Sequence, residues 1–151
     1  MTEERKAVFE RAAAILAARP LSRAELTKRL REKGATEEDA EAAADYMETL
    51  GALDDPAYAG MVVRHYTASG YGAARLREEL RRRGVPRELW DDALAEAPPA
   101  EETIARVIAS KARGRGAERK KLSAMLLRRG FSWEEVRAAL ESLDAESAGE
   151  G

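Results

Sequence analysis

Apolar residues recur three and four positions apart over most of the chain, which is the spacing of one face of an α-helix. Leu26 and Leu30 show this spacing, and Leu76 and Leu80 show it again. Few stretches alternate between apolar and polar residues, as a half-buried strand would. The pattern therefore predicts an all-α fold.

The helical pattern is itself repeated along the chain. Three segments align without gaps at offsets of 50 and 46 residues, namely Leu26–Gly34, Leu76–Gly84 and Leu122–Gly130. Apolar positions before and after these segments align at the same offsets, and the period excludes the shorter tetratricopeptide and ankyrin repeats. We therefore predict three tandem three-helix repeats, at 1–53, 54–97 and 98–143, which form an elongated, curved helical array, with a disordered tail over 144–151.

Caps and breakers predict where the helices begin and end. Ser22–Glu25 and Ser132–Glu135 have the sequence of a capping box, in which a serine and a glutamate cap the first helical turn reciprocally. Asp55 is the expected cap of the fourth helix, with Pro56 at the first helical position. Pro86 is expected to open a further helix, and the last helix is expected to end near Leu143.

Composition excludes several classes of site. The chain has 151 residues, no cysteine and one histidine. A disulfide scaffold, an iron–sulfur cluster, a thiol nucleophile and a zinc finger are therefore excluded, and no metal or cofactor is expected. The apolar runs are too short to span a bilayer, and the first residues lack the apolar core of a signal peptide. These features predict a cytoplasmic protein without a membrane partner.

The near-neutral net charge of −2 conceals a strong segregation of charge. Residues 1–55 contain 9 basic and 13 acidic side chains, a net charge of −4. Between Thr103 and Arg129 there are nine basic side chains and a single acid, Glu118. A like-charged cluster of this kind indicates an anionic partner.

Two explanations of the basic residues stay open. Arg81–Arg83 and Arg128–Arg129 lie near helix C-termini, where the helix dipole favours cations. The stretch from Lys111 to Lys121 crosses two glycines and a helix start, where cations are disfavoured, so it favours a binding role. The candidate contact residues are Arg75, Arg77, Arg81, Arg82, Arg106, Lys111, Arg113, Arg115, Arg119, Lys120, Lys121, Arg128 and Arg129.

A helix-turn-helix that reads DNA with its third helix is disfavoured. The third helix of every repeat is acidic on balance, and in the first repeat it carries Glu37, Glu38, Asp39, Glu41, Asp45 and Glu48. Phosphate would repel such helices. Any contact with nucleic acid is therefore expected at the second helices of repeats two and three and at the loop before the latter.

No constellation of residues predicts catalysis. His65 lies on an amphipathic helix without a nearby nucleophile in sequence, and Asp54–Asp55 are interpreted as a helix cap. Gly70–Gly72 follows a helix and lacks the further glycine and lysine of a phosphate loop. Trp90 aligns with core positions, whereas Trp133 follows a cap and is a weak contact candidate. An enzyme is therefore not expected.

Several blocks of the sequence resemble the RecX family. Leu50–Ala59 (LGALDDPAYA) resembles that family's G-x-L-D-D-x-x-F-A signature. Gly70–Val85 (GYGAARLREELRRRGV) resembles its second block, and Arg128–Phe131 followed by Val136 resembles its third. The resemblance covers about residues 5 to 143, with departures at Ala52, Tyr58 and Ala73.

The resemblance implies three tandem three-helix repeats and a regulatory function. Members of the family bind the RecA recombinase and its filament on single-stranded DNA, and they inhibit strand exchange, ATP hydrolysis and coprotease activity. RecA and the RecA–ssDNA filament are thus the expected partners of a monomeric chain, in DNA repair and the SOS response. The alternative is a protein that binds single- or double-stranded DNA directly through its basic helices without contacting RecA.

Overall fold

In the computed structural model, residues 1–111 and 119–150 are described, the last five of them as backbone only. Within these ranges every regular element is a helix, which confirms the all-α prediction. The elements are α1 (Glu3–Ala18), α2 (Arg23–Glu32), α3 (Glu37–Thr49), α4 (Asp55–Ala68), α5 (Ala73–Arg82), a 3₁₀ turn (Arg87–Leu89), α6 (Trp90–Leu94), α7 (Ala100–Lys111), α8 (Arg119–Arg128) and α9 (Trp133–Glu150). Among the described residues, no helix is long and apolar enough to cross a membrane.

The aligned glycines end the second helix of each repeat in the same way. Gly34, Gly84 and Gly130 have φ values of 103°, 71° and 97°, in the left-handed region that favours glycine. The amide of the following residue donates to the carbonyl of the buried leucine four positions before the glycine, at 3.0 Å, 3.0 Å and 3.2 Å. These are the bonds of a Schellman cap.

Both predicted capping boxes form. The Ser22 amide donates to Glu25 Oε1 at 3.0 Å, and the Glu25 amide donates to Ser22 Oγ at 3.1 Å. The Ser132 amide donates to Glu135 Oε1 at 2.8 Å, and the Glu135 amide donates to Ser132 Oγ at 3.1 Å. Two otherwise unpaired backbone donors are thereby satisfied at each of these helix starts.

Three predicted boundaries are wrong. The cap of α4 is Asp54, whose Oδ1 accepts from the Ala57 amide at 3.0 Å, because Asp55 turns to the Arg23 amide instead. Pro86 leads first into the 3₁₀ turn and only then into α6. The last helix does not end near Leu143 but continues to Glu150, since residues 144–148 contain no proline or glycine to stop it.

The chain divides into two compact units, each with its own hydrophobic core. Unit 1 comprises residues 1–61 and 80–91, and unit 2 comprises residues 62–79 and 92–151, so that α4 and α5 contribute to both. Leu26, Leu30 and Met47 are in the core of unit 1. Ile104, Leu126 and Val136 are in the core of unit 2, and all three are completely buried.

Each unit contains one end-to-end junction between second helices. In unit 1, the hydroxyl of Ser22 at the start of α2 donates to the carbonyl of Arg83, just beyond α5. In unit 2, the amides of Gly72 and Ala74 at the start of α5 donate to the carbonyls of Arg129 and Gly130, at 2.8 Å and 3.1 Å. Ser22 and Gly72 are 50 residues apart, so the same repeat position makes both junctions.

Candidate partner-binding surface

Eleven of the thirteen candidate contact residues lie within the described parts of the chain. Arg81 and Arg82 belong to unit 1, and the other nine belong to unit 2. Arg113 and Arg115 lie outside the described residues. The eleven cations fall into two groups, according to whether their charged groups are engaged within the chain.

Arg106 and Arg129 cap the C-terminal end of α4. The Arg106 guanidinium donates to the carbonyls of Thr67 and Ala68, at 2.9 Å and 3.0 Å. Arg129 Nη1 donates to the carbonyl of Ser69 at 3.0 Å. The last carbonyls of a helix lack partners within it and carry partial negative charge, so these two arginines stabilise the end of α4.

Arg75 is held by an acid and by aromatic rings. Its Nε lies 3.2 Å from Oε1 of Glu79, a carboxylate that is only 2% exposed as a residue. Its guanidinium lies 4.8 Å from the ring centroid of Tyr71 and 5.6 Å from that of Tyr66. The guanidinium of Arg129 is also over the Tyr71 ring, at 5.3 Å. The Gly70–Gly72 motif thus places a tyrosine against two cations, an arrangement that cation–π attraction stabilises.

A cavity of about 190 Å³ lies beside the capped end of α4. The charged side chains that line it are Arg106, Lys111 and Arg129, and it is also lined by the hydroxyl-bearing Ser69 and Ser110. Among the described residues, no carboxylate lines this cavity. Arg106 and Arg129 use only some of their five N–H donors on the α4 carbonyls, so donors and positive charge remain for an oxyanion such as phosphate.

The exposed side of α8 forms a second basic surface, which we call the α8 face. It consists of Lys120, Lys121, Ala124, Leu127 and Arg128, all exposed, whereas Leu126 on the opposite side is completely buried. Lys120, Lys121 and Arg128 have no ion pair among the described residues. Arg119 differs from them because its guanidinium pairs with Asp144 of α9.

The other candidate cations of α5, Arg77, Arg81 and Arg82, are exposed on their helix. Arg77 lines a second cavity of unit 2 together with Glu135, so an acid lies close to it. Arg81 and Arg82 belong to unit 1 and have interactions within the chain.

The acidic third helix of the first repeat is partly neutralised within unit 1. Arg23 lies 2.6 Å from Glu41, 2.8 Å from Asp45 and 2.5 Å from Glu48. Burial alone would lower the pKa of Arg23, but hydrogen bonds to these three carboxylates raise the pKa above its ordinary value. Half of the acids predicted to repel phosphate on α3 thus serve to anchor α2 against α3.

The remaining candidates are structural or exposed. His65 is exposed and makes an edge contact with the Tyr66 ring at 5.1 Å. Trp90 is partly buried, and its Nε1 donates to the Val85 carbonyl at 2.9 Å. Trp133 is 56% exposed, as expected for a residue beside a cap. The described residues contain no group of acids and histidine that could hold a metal ion.

Two residues of the α8 face, Ala124 and Leu127, were not among the contacts predicted from sequence. Leu127 is 42% exposed, although its spacing from the leucines of α8 suggests nothing unusual. The alignment of the repeats could have identified Leu127, because the equivalent positions of the other repeats are Arg31 and Arg81. The third repeat therefore has an exposed leucine at a position where the other two repeats have arginine.

Comparison with known proteins identifies relatives along nearly the whole chain. The family models described as the first, second and third three-helix domains of RecX match residues 9–47, 54–94 and 100–140. The regulatory protein RecX of Pseudomonas fluorescens strain SBW25 is 37% identical over 143 residues, covering 91% of this chain and 92% of the relative. That of Pseudomonas entomophila strain L48 is 36% identical over the same coverage.

Solved structures agree in fold. The crystal structure of RecX from Lactobacillus salivarius matches with a TM-score of 0.82 and 20% identity, covering 96% of this chain and 99% of that one. A second crystal structure, described as regulatory protein RecX, matches with a TM-score of 0.77 and 22% identity, covering 92% of this chain and 72% of that one. These likenesses show the arrangement of three-helix repeats that the period predicted.

Proposed function

Because the chain belongs to the RecX family of regulatory proteins, we propose that it binds RecA and the RecA–ssDNA filament. Binding inhibits the recombinase, ATPase and coprotease activities of the filament, and it thereby modulates DNA repair and the SOS response. The chain acts by binding, without catalysing a reaction of its own.

The observation that carries this proposal is the α8 face. Lys120 and Lys121 lie in the first turn of α8, where the helix dipole makes cations unfavourable. Neither has an ion pair among the described residues. Charges that the helix dipole disfavours, and that have no ion pair in the described parts of the chain, are suited to an external anionic surface.

Direct binding of nucleic acid is the second candidate, and the cavity beside α4 favours it. Arg106, Lys111 and Arg129 present three positive charges, and none of the described lining residues is an acid, which suits a backbone phosphate. On this alternative the chain sequesters DNA and never contacts RecA. Its affinity would then fall steeply with salt, because each neutralised phosphate releases counterions.

The two candidates are separated by titrating RecA's ssDNA-dependent ATP hydrolysis with this chain on preformed filaments, at a low and a high salt concentration. We expect inhibition well below one molecule per DNA-bound RecA subunit, which persists at the salt concentration that abolishes binding to free ssDNA. Inhibition that only tracks the amount of DNA sequestered would support the alternative. Absence of inhibition at both salt concentrations would contradict the regulatory proposal.

Charge reversal on the α8 face tests where the filament is contacted. The variant Lys120→Glu/Lys121→Glu should inhibit at least about tenfold less well, since two attractive charges become repulsive. The matched control is Lys6→Glu/Lys33→Glu, which changes the charge equally at exposed lysines of unit 1. Equal inhibition by both folded variants would remove the α8 face from the binding site. Arg119 is left unchanged because its reversal would break the pair with Asp144.

A further inference from the structure

The α8 face combines positive charge with an exposed apolar side chain. Lys120, Ala124 and Leu127 are spaced four and three residues apart, so they form one stripe along the helix. Lys121 and Arg128 flank this stripe. Leu127 is 42% exposed at the C-terminal end of the stripe. The helix itself, from Arg119 to Arg128, contains no acid.

Neither packing nor helix energetics explains Leu127 at this position. Its neighbour Leu126 is completely buried and fills the core position of the repeat. The other repeats carry Arg31 and Arg81 at the position of Leu127. Arginine near a helix C-terminus interacts favourably with the dipole, and its long stem tolerates exposure, so arginine would suit a helix that is only solvated.

We propose that the α8 face docks an acidic protein segment that also carries an apolar side chain, with Leu127 as the apolar contact. Phosphate backbones offer negative charge but nothing that gains from burying a leucine, whereas acidic protein segments offer both. The lysines and Arg128 attract and orient the acidic residues, and Leu127 is buried when the segment binds. The inference rests on the proposed function, in which that segment belongs to RecA.

The proposal assigns the two basic surfaces of unit 2 to different chemistries. The described lining of the cavity at the end of α4 has cations, hydroxyl groups and no exposed large apolar side chain, and phosphate suits it. The α8 face has Leu127 within a basic arc. Loss of the leucine side chain should therefore weaken binding to RecA but not to free ssDNA, whereas an added cation at this position should strengthen binding to free ssDNA.

The experiment compares Leu127→Ala and Leu127→Arg with the wild-type chain, using RecA without DNA and a labelled single-stranded oligonucleotide as separate probes. Both variants should bind RecA about five- to tenfold more weakly, the loss expected for a partly exposed leucine that is buried on binding. Affinity for the oligonucleotide should be unchanged in Leu127→Ala and should increase in Leu127→Arg. Leu50→Ala is the matched control, because Leu50 is also exposed but belongs to unit 1.

Each outcome decides a different question. If RecA binds all variants equally, or binds Leu127→Arg more tightly, the inference is overturned while the proposed function stands. If wild-type chain does not bind RecA, the proposed function fails, and a pair of labelled peptides decides the inference. The peptides are rich in Glu and Asp and differ only in carrying leucine or alanine at two positions. The leucine peptide should bind the wild-type chain more tightly and should lose this advantage with Leu127→Ala, and equal affinities would overturn the inference.

Discussion

At the scale of single residues, the same side-chain type serves opposite purposes in different surroundings. Arg106 and Arg129 complete the end of α4, whereas Lys120 and Lys121 have no counterpart among the described residues. These roles could not be distinguished from the sequence, because the carbonyls that Arg106 and Arg129 contact lie 38 and 60 residues away along the chain. Only the folded helices bring the partners together.

Two aligned glycines allow the stability cost of a left-handed backbone conformation to be distinguished from the cost of close packing. Gly34 and Gly130 share a left-handed φ of about 100°, but a Cβ on Gly34 would meet nothing within 4 Å, while one on Gly130 would lie 2.6 Å from the Arg75 amide nitrogen. Gly34→Ala should therefore lose about 1–2 kcal/mol from conformation alone. Gly130→Ala should lose a further 1–3 kcal/mol or so from overpacking. Urea unfolding followed by circular dichroism measures both, and equal losses would show that the close approach is relieved without cost.

Asp55 is expected to make stability depend on pH in an unusual direction. Burial raises the pKa of its carboxyl group above 3.8, against the opposing hydrogen bond from the Arg23 amide. Because the folded state then holds this proton more tightly than the unfolded state, the contribution of Asp55 is full below the unfolded pKa and is lost as pH rises through the folded pKa.

Asp55→Asn removes the charge and keeps an acceptor for the Arg23 amide. The free energy of unfolding of the wild type, minus that of Asp55→Asn, should therefore decrease between about pH 3.5 and about pH 6. Denaturant unfolding at both pH values measures this difference. Asp55→Ala serves as the control, since it loses the hydrogen bond and should be destabilised at both values. A difference that increases with pH would contradict the assigned direction.

At the scale of elements, the features that depend on nearby residues, namely the core positions and the helix caps, were predicted correctly from the repeat alignment. Leu30, Leu80 and Leu126 occupy one aligned position and all are completely buried. The capping boxes and the glycine caps are equally local, and they form as expected. One boundary error arose because a residue had a distant competitor: Asp55 accepts from the Arg23 amide and leaves the cap of α4 to Asp54.

The two lysines in the first turn of α8 should favour binding to RecA while lowering the stability of the free protein. In Lys120→Glu/Lys121→Glu two cations at a helix N-terminus become anions, which the dipole favours by roughly 0.3–1 kcal/mol each. The variant should therefore be as stable as the wild type or more so, although it inhibits RecA less. Thermal unfolding at low and high salt measures this, and the gain should shrink at high salt. A large loss of stability would mean that the lysines support the fold.

At the scale of the whole molecule, repeats in sequence and compact units in space are different divisions of the chain. The repeat boundaries at 53/54 and 97/98 stay predictions, and the unit boundaries pass through α4 and α5. The fold class was predictable because it depends on a period. The junctions between second helices were not, since they depend on backbone groups that every residue carries, such as the Gly130 carbonyl. The charged residues of the α8 face were predicted from the sequence, whereas its exposed Leu127 was not.

Unit 2 needs residues from both of its segments, and this leads to a prediction about truncation. A chain that ends at Ala97 retains residues 62–79 and 92–97 of unit 2 but lacks residues 98–151. The amides of Gly72 and Ala74 then lose their acceptors, and the carbonyls of Thr67 and Ala68 lose the Arg106 guanidinium. Groups of this kind are costly to leave unpaired within a fold. The segment 62–79 should therefore lose its structure in the shortened chain.

Limited trypsin digestion checks this, because Arg64, Arg75 and Arg77 lie within that segment. Cleavage there should be at least about tenfold faster in the chain ending at Ala97 than in the full chain, since proteolysis follows the population of the open form. Cleavage at Arg29 and Arg31, which lie in unit 1 on α2, should change less. A chain ending at Leu143 is the control, since it loses the pair between Arg119 and Asp144 but keeps the core of unit 2. Equal protection of residues 62–79 in all three chains would mean that the second repeat holds its structure without the third, and that each repeat stabilises itself.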